Sequence, residues 1–388
     1  MPEIRYFLYH KAHPVQKNHD IWNTSLPVNR IPSRDTAEGS VTHGDYFSAI
    51  RFFLEENGWK VIISAVSQCM CRPVLLAEIK EISICLEKHG EFYHPARIRI
   101  YMDDEKIPFV LNAAVSDAGR GCILREYYLL KQLNEDFPCT FLPKIYEQGY
   151  GQTLSGTEIP MFLGEWFDNY NEFHISHDPN DGKNKIRVWD AGRGPYFLSH
   201  EKTRELYRQA AMILTCYYNF ETFEQIYPWH HGAGDFIVKY ENDEIDLKLI
   251  TVRQYTSLVE HQGAEPDPGA IPEALLLFLL NLSIRMRLDR MDGVGDIVWA
   301  DDIAVQGTLE GFFQALSLRV PEAFVIYFRN YLSSHTETAL LDLSESIVNA
   351  CPPLIPEVPV MQKHLKKHTV NLRLFMATTS EVSETSEV

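Results

Sequence analysis

The apolar residues of this chain change their period along the sequence, and the order of those changes limits the fold more than any other feature. Ile82, Ile84 and Leu86 alternate with Ser83, Cys85 and Glu87, and after KHGEFYHP the alternation returns at Ile98, Ile100 and Met102. A period of two places one set of side chains on one face of a strand, so these runs predict two antiparallel strands around a glycine-bearing turn. DDEK at 103–106 turns the chain again, and IPFVLNAAV supplies a third strand. The period then lengthens. GRGCILREYYLLKQLN at 119–134 carries Ile123, Tyr127 and Leu130 on one stripe, which predicts a helix face directed at that sheet. Strands resume at FLPKIYEQG (141–149) and IPMFLGEWF (159–167).

The flanking segments read differently. Residues 1–40 show no sustained period and predict a loosely packed arm. From Asp45, Phe47, Ile50, Phe53 and Leu54 recur at helical spacing until Gly58, and 60–71 predicts a second helix. Beyond 168 the link DNYNEFHIS precedes a strand at 185–189 and a helix at about 201–218 carrying Leu206, Ala210, Ile213 and Leu214. FIVKYENDEIDLKLITV reads as a hairpin. PEALLLFLLNLSIRMRLDRMDG predicts a helix with Pro272 in its first turn and its end at Gly293, followed by helical segments at 308–318 and 321–350. The tail TTSEVSETSEV is polar and acidic and predicts disorder.

Charge and cysteine usage exclude several classes. The 388 residues hold 36 basic and 53 acidic side chains, a net charge of −17. That charge opposes contact with phosphate backbones and anionic lipid, so neither nucleic acid nor membrane is an expected partner. MPEIRYFLYHKAHPV contains no continuous apolar core of a leader. The most apolar stretch, Leu275–Leu282, is broken by Asn281 and falls short of the ~18 residues a spanning helix needs. Seven scattered cysteines, an odd number, fit a reduced cytoplasmic chain. Cys69 and Cys71 form a CMC pair with no second pair at finger spacing. GxSxG, Walker A, HExxH and GxGxxG patterns do not occur, which removes nucleophile-elbow, P-loop and Rossmann chemistry.

Three strands, a helix containing an acidic residue, two strands, a linker, a helix and a hairpin form an order that, from about Ile82 to Gly293, resembles the protein-kinase-like superfamily, which includes the aminoglycoside and choline phosphotransferases. The resemblance implies an α+β, bilobal fold. A small lobe at 79–168 would hold an antiparallel five-stranded sheet and one helix, and a mostly helical large lobe would occupy 169–376. An N-terminal arm and helical extension (1–78) and a disordered tail (377–388) would flank them.

The same resemblance implies a site for ATP with Mg²⁺. Gly90 would sit in a nucleotide lid, with Lys88, His89 or His94 supplying charge, although an ordinary hairpin turn fits KHGEFYHP as well. Asn112, or Ala113 beside it, stands where the family's phosphate-holding lysine belongs, and an amide cannot supply that point charge. Glu126 resembles the helix glutamate, with Lys106 or Arg125 as the available cation. Glu165 and Trp166, in the stretch running to Asp168, would meet an adenine edge at the crossing between lobes. IYPWHHGAGDFIVK resembles the catalytic loop: aligning the strand puts Asp235 at the metal-holding position and His230 at the base. Aligning the HGA tripeptide at His231 puts Ala233 there instead. Thr251 stands where a second metal-binding carboxylate is normal.

These departures imply a kinase-like protein with a degraded catalytic site, a scaffold or regulator that binds a nucleotide or a protein partner. A divergent phosphotransferase with His230 as base and Asp235 as metal ligand is the alternative. A metal-dependent hydrolase using His230, His231 and Asp235 is a second. The acidic cluster Asp292, Asp296, Asp301 and Asp302 reads either as a solvated, helix-capping loop or as a cation site.

Overall fold

A computed structural model describes residues 1–9, 13–27, 41–90, 92–229, 234–258, 268–352 and 355–384. The fold is α+β, and the chain divides into two compact units. Unit 1 comprises Met1–Glu135 with Pro143–Asp168; unit 2 comprises Asp136–Leu142 and the chain from Asn169 onward.

Unit 1 contains β1 (Glu3–Leu8), α1 (His43–Cys69), β2 (Glu81–Leu86), β3 (His94–Tyr101), β4 (Lys106–Ala113), α2 (Asp117–Asp136), β5 (Ile145–Gln152) and β6 (Glu158–Glu165). The expected succession of three strands, one helix and two strands is present. The sheet, however, has six strands and not five, in the order β1-β2-β3-β4-β6-β5, and β1 joins β2 in parallel while every other pair is antiparallel. The start of the expected loose arm is therefore an ordered edge strand. Its signal was an alternation of only three positions, Ile4, Tyr6 and Leu8, of which Tyr6 and Leu8 are buried.

α1 begins at a capping box, in which Thr42 Oγ1 accepts from Asp45 N (3.0 Å) and Asp45 Oδ2 accepts from Thr42 N (3.1 Å). That arrangement satisfies amides left open at a helix start. Asn57, Gly58 and Trp59 take positive φ and divide α1 into the two helical runs foreseen on either side of Gly58. Tyr46, Phe47, Ile50, Phe53 and Leu54 are fully buried beneath the sheet. The helix approaches β5 so closely that a Cβ at Gly151 would lie 2.1 Å from the Ala49 carbonyl oxygen, a position only glycine fits.

Unit 2 opens with β7 (Phe173–Asp178), β8 (Lys183–Val188) and β9 (Tyr196–Phe197), a small antiparallel sheet. β7 falls in the segment read as a link. α3 (His200–Cys216) leads to β10 (Glu224–Ile226), β11 (Phe236–Glu241), β12 (Glu244–Leu249) and β13 (Tyr255–Ser257). There follow α4 (Ile271–Arg285), β14 (Leu288–Arg290), β15 (Ile297–Trp299), α5 (Ile303–Arg319), α6 (Glu322–Ser334), α7 (Glu337–Asn349) and α8 (Glu357–Glu384). The expected helix from Pro272 to Gly293 stops at Arg285, because its last residues pair as the hairpin β14–β15. Where a polar tail was read from 377, α8 continues to Glu384.

Two contacts place the central hairpin on its helix. A Cβ at Gly311 would meet the Arg208 carbonyl oxygen at 1.9 Å, so the bare glycines of α5 allow α3 to lie close. Gln209 of α3 then donates from Nε2 to the Ile245 carbonyl (2.6 Å), and its Oε1 accepts from Leu247 N (2.9 Å), satisfying the outer edge of β12.

Candidate functional site

The hairpin β11–β12 and the short pair β10–β13 frame the site. β10 pairs with β13 through Gln225↔Thr256, and β11 pairs with β12 through Val238↔Leu247. The chain entering β11 and the chain leaving β12 are thus held side by side, and the Ile250 amide donates to the Asp235 carbonyl at 2.8 Å. This crossing brings Asp235 and Thr251 together from 16 residues apart.

Asp235 is 1% exposed. Its Oδ1 accepts from Thr251 Oγ1 (2.9 Å) and from Arg253 Nη2 (2.6 Å), and its Oδ2 accepts from Arg253 Nη1 (2.6 Å). The pairing is bidentate and charge-assisted, the form in which a buried carboxylate loses least on leaving water. The Arg253 side chain keeps 29% exposure, so the salt bridge has one dry partner and one partly wet one. Next to Asp235 in the chain, Phe236 meets the buried Trp229 edge-on, with ring centroids 6.3 Å apart at 85°.

Arg253 is the partner of Asp235 that reading the sequence missed. The signal was available: a carboxylate entering the apolar run FIVK needs a counter-charge, and Arg253 is the cation two residues beyond Thr251. His230 and His231, read as base and as the alternative register, lie outside the described residues. Among the described residues no group of three or more His, Cys, Asp or Glu side chains is arranged to hold a metal ion.

The remaining candidates belong to unit 1. Gly90 closes a local turn, donating its amide to the Tyr93 carbonyl (3.0 Å), and a Cβ there would stand 2.6 Å from that oxygen. The glycine is therefore required by the turn itself. Asn112 lies on β4 between Pro95 of β3 and Phe162 of β6, half-buried. Glu126 is buried on α2. Of the cations considered for it, Arg125 turns its Nη2 toward Cys122 Sγ and Lys106 lies over the Tyr101 ring. Glu165 Oε2 accepts from the Lys144 amide (3.1 Å), and Trp166 carries the Arg97 guanidinium 4.8 Å above its ring.

The histidines named for the lid do not supply charge near neutrality. His94 is buried, its Nε2 lies 2.6 Å from the Pro27 carbonyl, and burial pushes its pKa down to about 4. Burial also lowers His89, with His43 nearby adding to the effect. His43, His89 and His94 form a contiguous ring cluster, with centroids 6.2 and 5.3 Å apart.

No known family profile matches the chain. Over 168 residues it is 23% identical to the Sodium-dependent nutrient amino acid transporter 1 of Drosophila persimilis, a match covering 41% of this chain and 25% of that protein. The chain spans about a quarter of the length of that curated relative. No helix among the described residues is long and apolar enough to cross a membrane. Among solved structures the chain is similar to WaaP in complex with acyl carrier protein, at a TM-score of 0.30 and 11% identity, covering 64% of this chain and 83% of that one. A resemblance of that size does not establish a common fold.

Proposed function

We propose that this chain is a kinase-like protein that has lost metal-assisted phosphoryl transfer and acts by binding, holding a nucleotide or a protein partner without turning the nucleotide over. The observation that carries this reading is the closed ion pair of Asp235 with Arg253. In phosphoryl transfer, carboxylates or amides at the two ends of such a hairpin hold the magnesium that neutralises charge on the phosphates. Here the carboxylate before β11 already has both oxygens on a guanidinium, and the residue after β12 is Thr251, whose hydroxyl donates to the same carboxylate. The positive charge that a metal would bring is supplied from within the chain. The succession of strands and helix in unit 1, and of helix, loop and hairpin in unit 2, supports the kinase-like part of the reading.

Titration of ATP with and without Mg²⁺ into the wild-type chain and Asp235→Ala, followed by calorimetry and by phosphate release, tests it. The expected outcome is weak ATP binding unaffected by Mg²⁺, with no phosphate released by either protein. Mg²⁺-dependent release that disappears in Asp235→Ala would overturn the reading in favour of a divergent phosphotransferase. Bound zinc or iron in the purified protein would favour the hydrolase.

A further inference from the structure

Two cysteines far apart in the sequence meet in unit 2. Cys139 lies in the Asp136–Leu142 stretch that belongs to this unit, and Cys216 is the last residue of α3. Cys139 Sγ stands 4.0 Å from the Cys216 carbonyl oxygen, and each thiol acts on the other as a hydrogen-bonding partner. Both are free thiols. The backbone around them is held in place. Tyr217 Oη donates to the Cys139 carbonyl (3.3 Å), its ring meets Phe137 edge-on with centroids 5.5 Å apart, and its own carbonyl accepts from Tyr255 Oη (2.8 Å).

The third member of the cluster is Arg319, the last residue of α5. Its Nη1 donates to the Thr215 carbonyl (3.4 Å) and to the Tyr218 carbonyl, which anchors it at the end of α3. The guanidinium lies 5.1 Å from the Phe137 ring centre and 5.0 Å from that of Phe220. Among the described residues no carboxylate stands beside this half-buried cation, and the groups whose negative charge it would meet are Cys139, Cys216 and Tyr255. A thiolate is therefore the readiest counter-charge the surrounding chain can offer.

The two thiols are not equivalent. Cys139 is half-buried between exposed Pro138 and Thr140, so small solutes reach it, whereas Cys216 is buried. The neighbouring Cys216 thiol, and then the charge of Arg319, hold Cys139 below the ordinary thiol range, while the same contact and burial push Cys216 up. Of two sulfurs sharing a proton, the wetter one carries the charge. Burial raises Cys69 and Cys85 by contrast.

A solvent-reachable thiolate beside a cation and in contact with a second thiol is the arrangement that peroxide oxidises and a resolving cysteine completes. We infer that Cys139 is a site of reversible oxidation by hydrogen peroxide and that Cys216 resolves it to a disulfide within unit 2. The Cys139 thiolate attacks one peroxide oxygen: an S–O bond forms, the O–O bond breaks, and the departing hydroxide takes up a proton as water. The Cys216 sulfur then attacks the sulfenic sulfur. An S–S bond forms, the S–O bond breaks, and the hydroxyl leaves with the Cys216 proton as a second water, so peroxide gains the two electrons that the thiols lose. A dithiol reductant reverses the bridge by exchange. The bridge would tie positions 77 apart, joining the approach to β5 to the end of α3. A merely packed pair of thiols is the competing account, and it gives Cys139 no advantage over the exposed Cys69 and Cys71.

Hydrogen peroxide titrated into the full chain, reduced and freed of reductant, at low micromolar protein tests this, with cysteines mapped by alkylation and peptide mass spectrometry. The expected product is a Cys139–Cys216 bridge, a loss of about 2 Da, formed before Cys69 and Cys71 react and reversed by dithiothreitol. Cys216→Ser should stop at a sulfenic acid on Cys139 that dimedone captures, and Cys139→Ser should leave Cys216 reduced. In the unoxidised wild type, alkylation of Cys139 should be half-maximal below the ~8.5 of a free thiol. Arg319→Gln should move that point up, and Arg319→Lys should keep it. The wild-type map and pH profile decide the matter even where a variant fails to fold. Oxidation of Cys69 or Cys71 with Cys139 and Cys216 still free would overturn the inference. So would a bridge to any other cysteine or to another chain, or alkylation of Cys139 half-maximal at or above the free-thiol value.

Discussion

Two buried polar groups of unit 2, Asp235 and His368, make an instructive pair. Asp235 and His368 are each 1% exposed. Asp235 is closed: Arg253 and Thr251, both within 18 residues of it, occupy its two oxygens. His368 is half-closed, with one nitrogen on Ser283 and the other facing no partner among the described residues. A charged group buried in a low-dielectric interior must be neutralised by the fold itself, or it will titrate or unfold the chain. A neutral imidazole costs far less to leave partly unmatched, so a chain can retain one in its interior. The first centre is thus closed by the chain's own residues, and the second leaves one buried nitrogen without a hydrogen-bond partner among the described residues.

The largest effect that would break this contrast is expected from Arg253→Leu. Removing the guanidinium strands a buried carboxylate, and breaking one side of such a pair costs about 3–5 kcal/mol. Chemical denaturation followed in unit 2 should show that loss, and the double variant Asp235→Leu with Arg253→Leu should recover most of it. A loss under about 1 kcal/mol for the single variant would mean that Asp235 does not depend on Arg253 for its neutralisation.

The next effect is acid sensitivity, and it extends the contrast to unit 1. An unfolded histidine titrates near 6.5, whereas His94 in the fold titrates at about 4. Between those values the unfolded chain binds a proton that the folded chain refuses. The associated stability is thus fully present above about pH 6.5 and is lost as pH falls toward 4, on the order of 3 kcal/mol from this residue. His368 acts in the same direction with a pKa of about 3. Denaturation midpoints measured from pH 7 to pH 4 should fall in the wild type and fall less steeply in His94→Asn. Equal slopes would show that His94 titrates alike in the folded and unfolded states.

Thr251→Val should cost about 1 kcal/mol, the net worth of one hydrogen bond to Asp235 with the guanidinium still in place. The smallest change belongs to an exposed position on α8. Lys367→Gln alters an exposed side chain and should move stability by no more than about 0.5 kcal/mol. A stability loss comparable to that of Arg253→Leu would mean that Lys367 is as structural as the hairpin centre.

Much of this molecule was legible before any coordinates. The alternation at Ile82, Ile84 and Leu86, and again at Ile98 and Ile100, marked strands whose inward residues are fully buried, and the stripe Ile123, Tyr127 and Leu130 marked the buried face of α2. Gly58 marked the break in α1. What escaped were elements whose local pattern is too short or whose pairing is distant. β1 is six residues long and is held by a parallel neighbour almost eighty positions away. The end of α4 kept a helical look through Asp292 because LDR and IVW are three-residue strands, too short to show a period.

The sequence by itself determined the order of strands and helices, the acidic charge, and the presence of an aspartate where the chain enters its central hairpin, because hydrophobic period and composition are local properties. Only the tertiary structure decided that this aspartate is met by Arg253, and that Ser283 and His368, 85 residues apart, are brought within 3.1 Å of each other. Those facts depend on which backbones cross and in what register. A side chain's partners are set by distances in space that no spacing along the chain encodes.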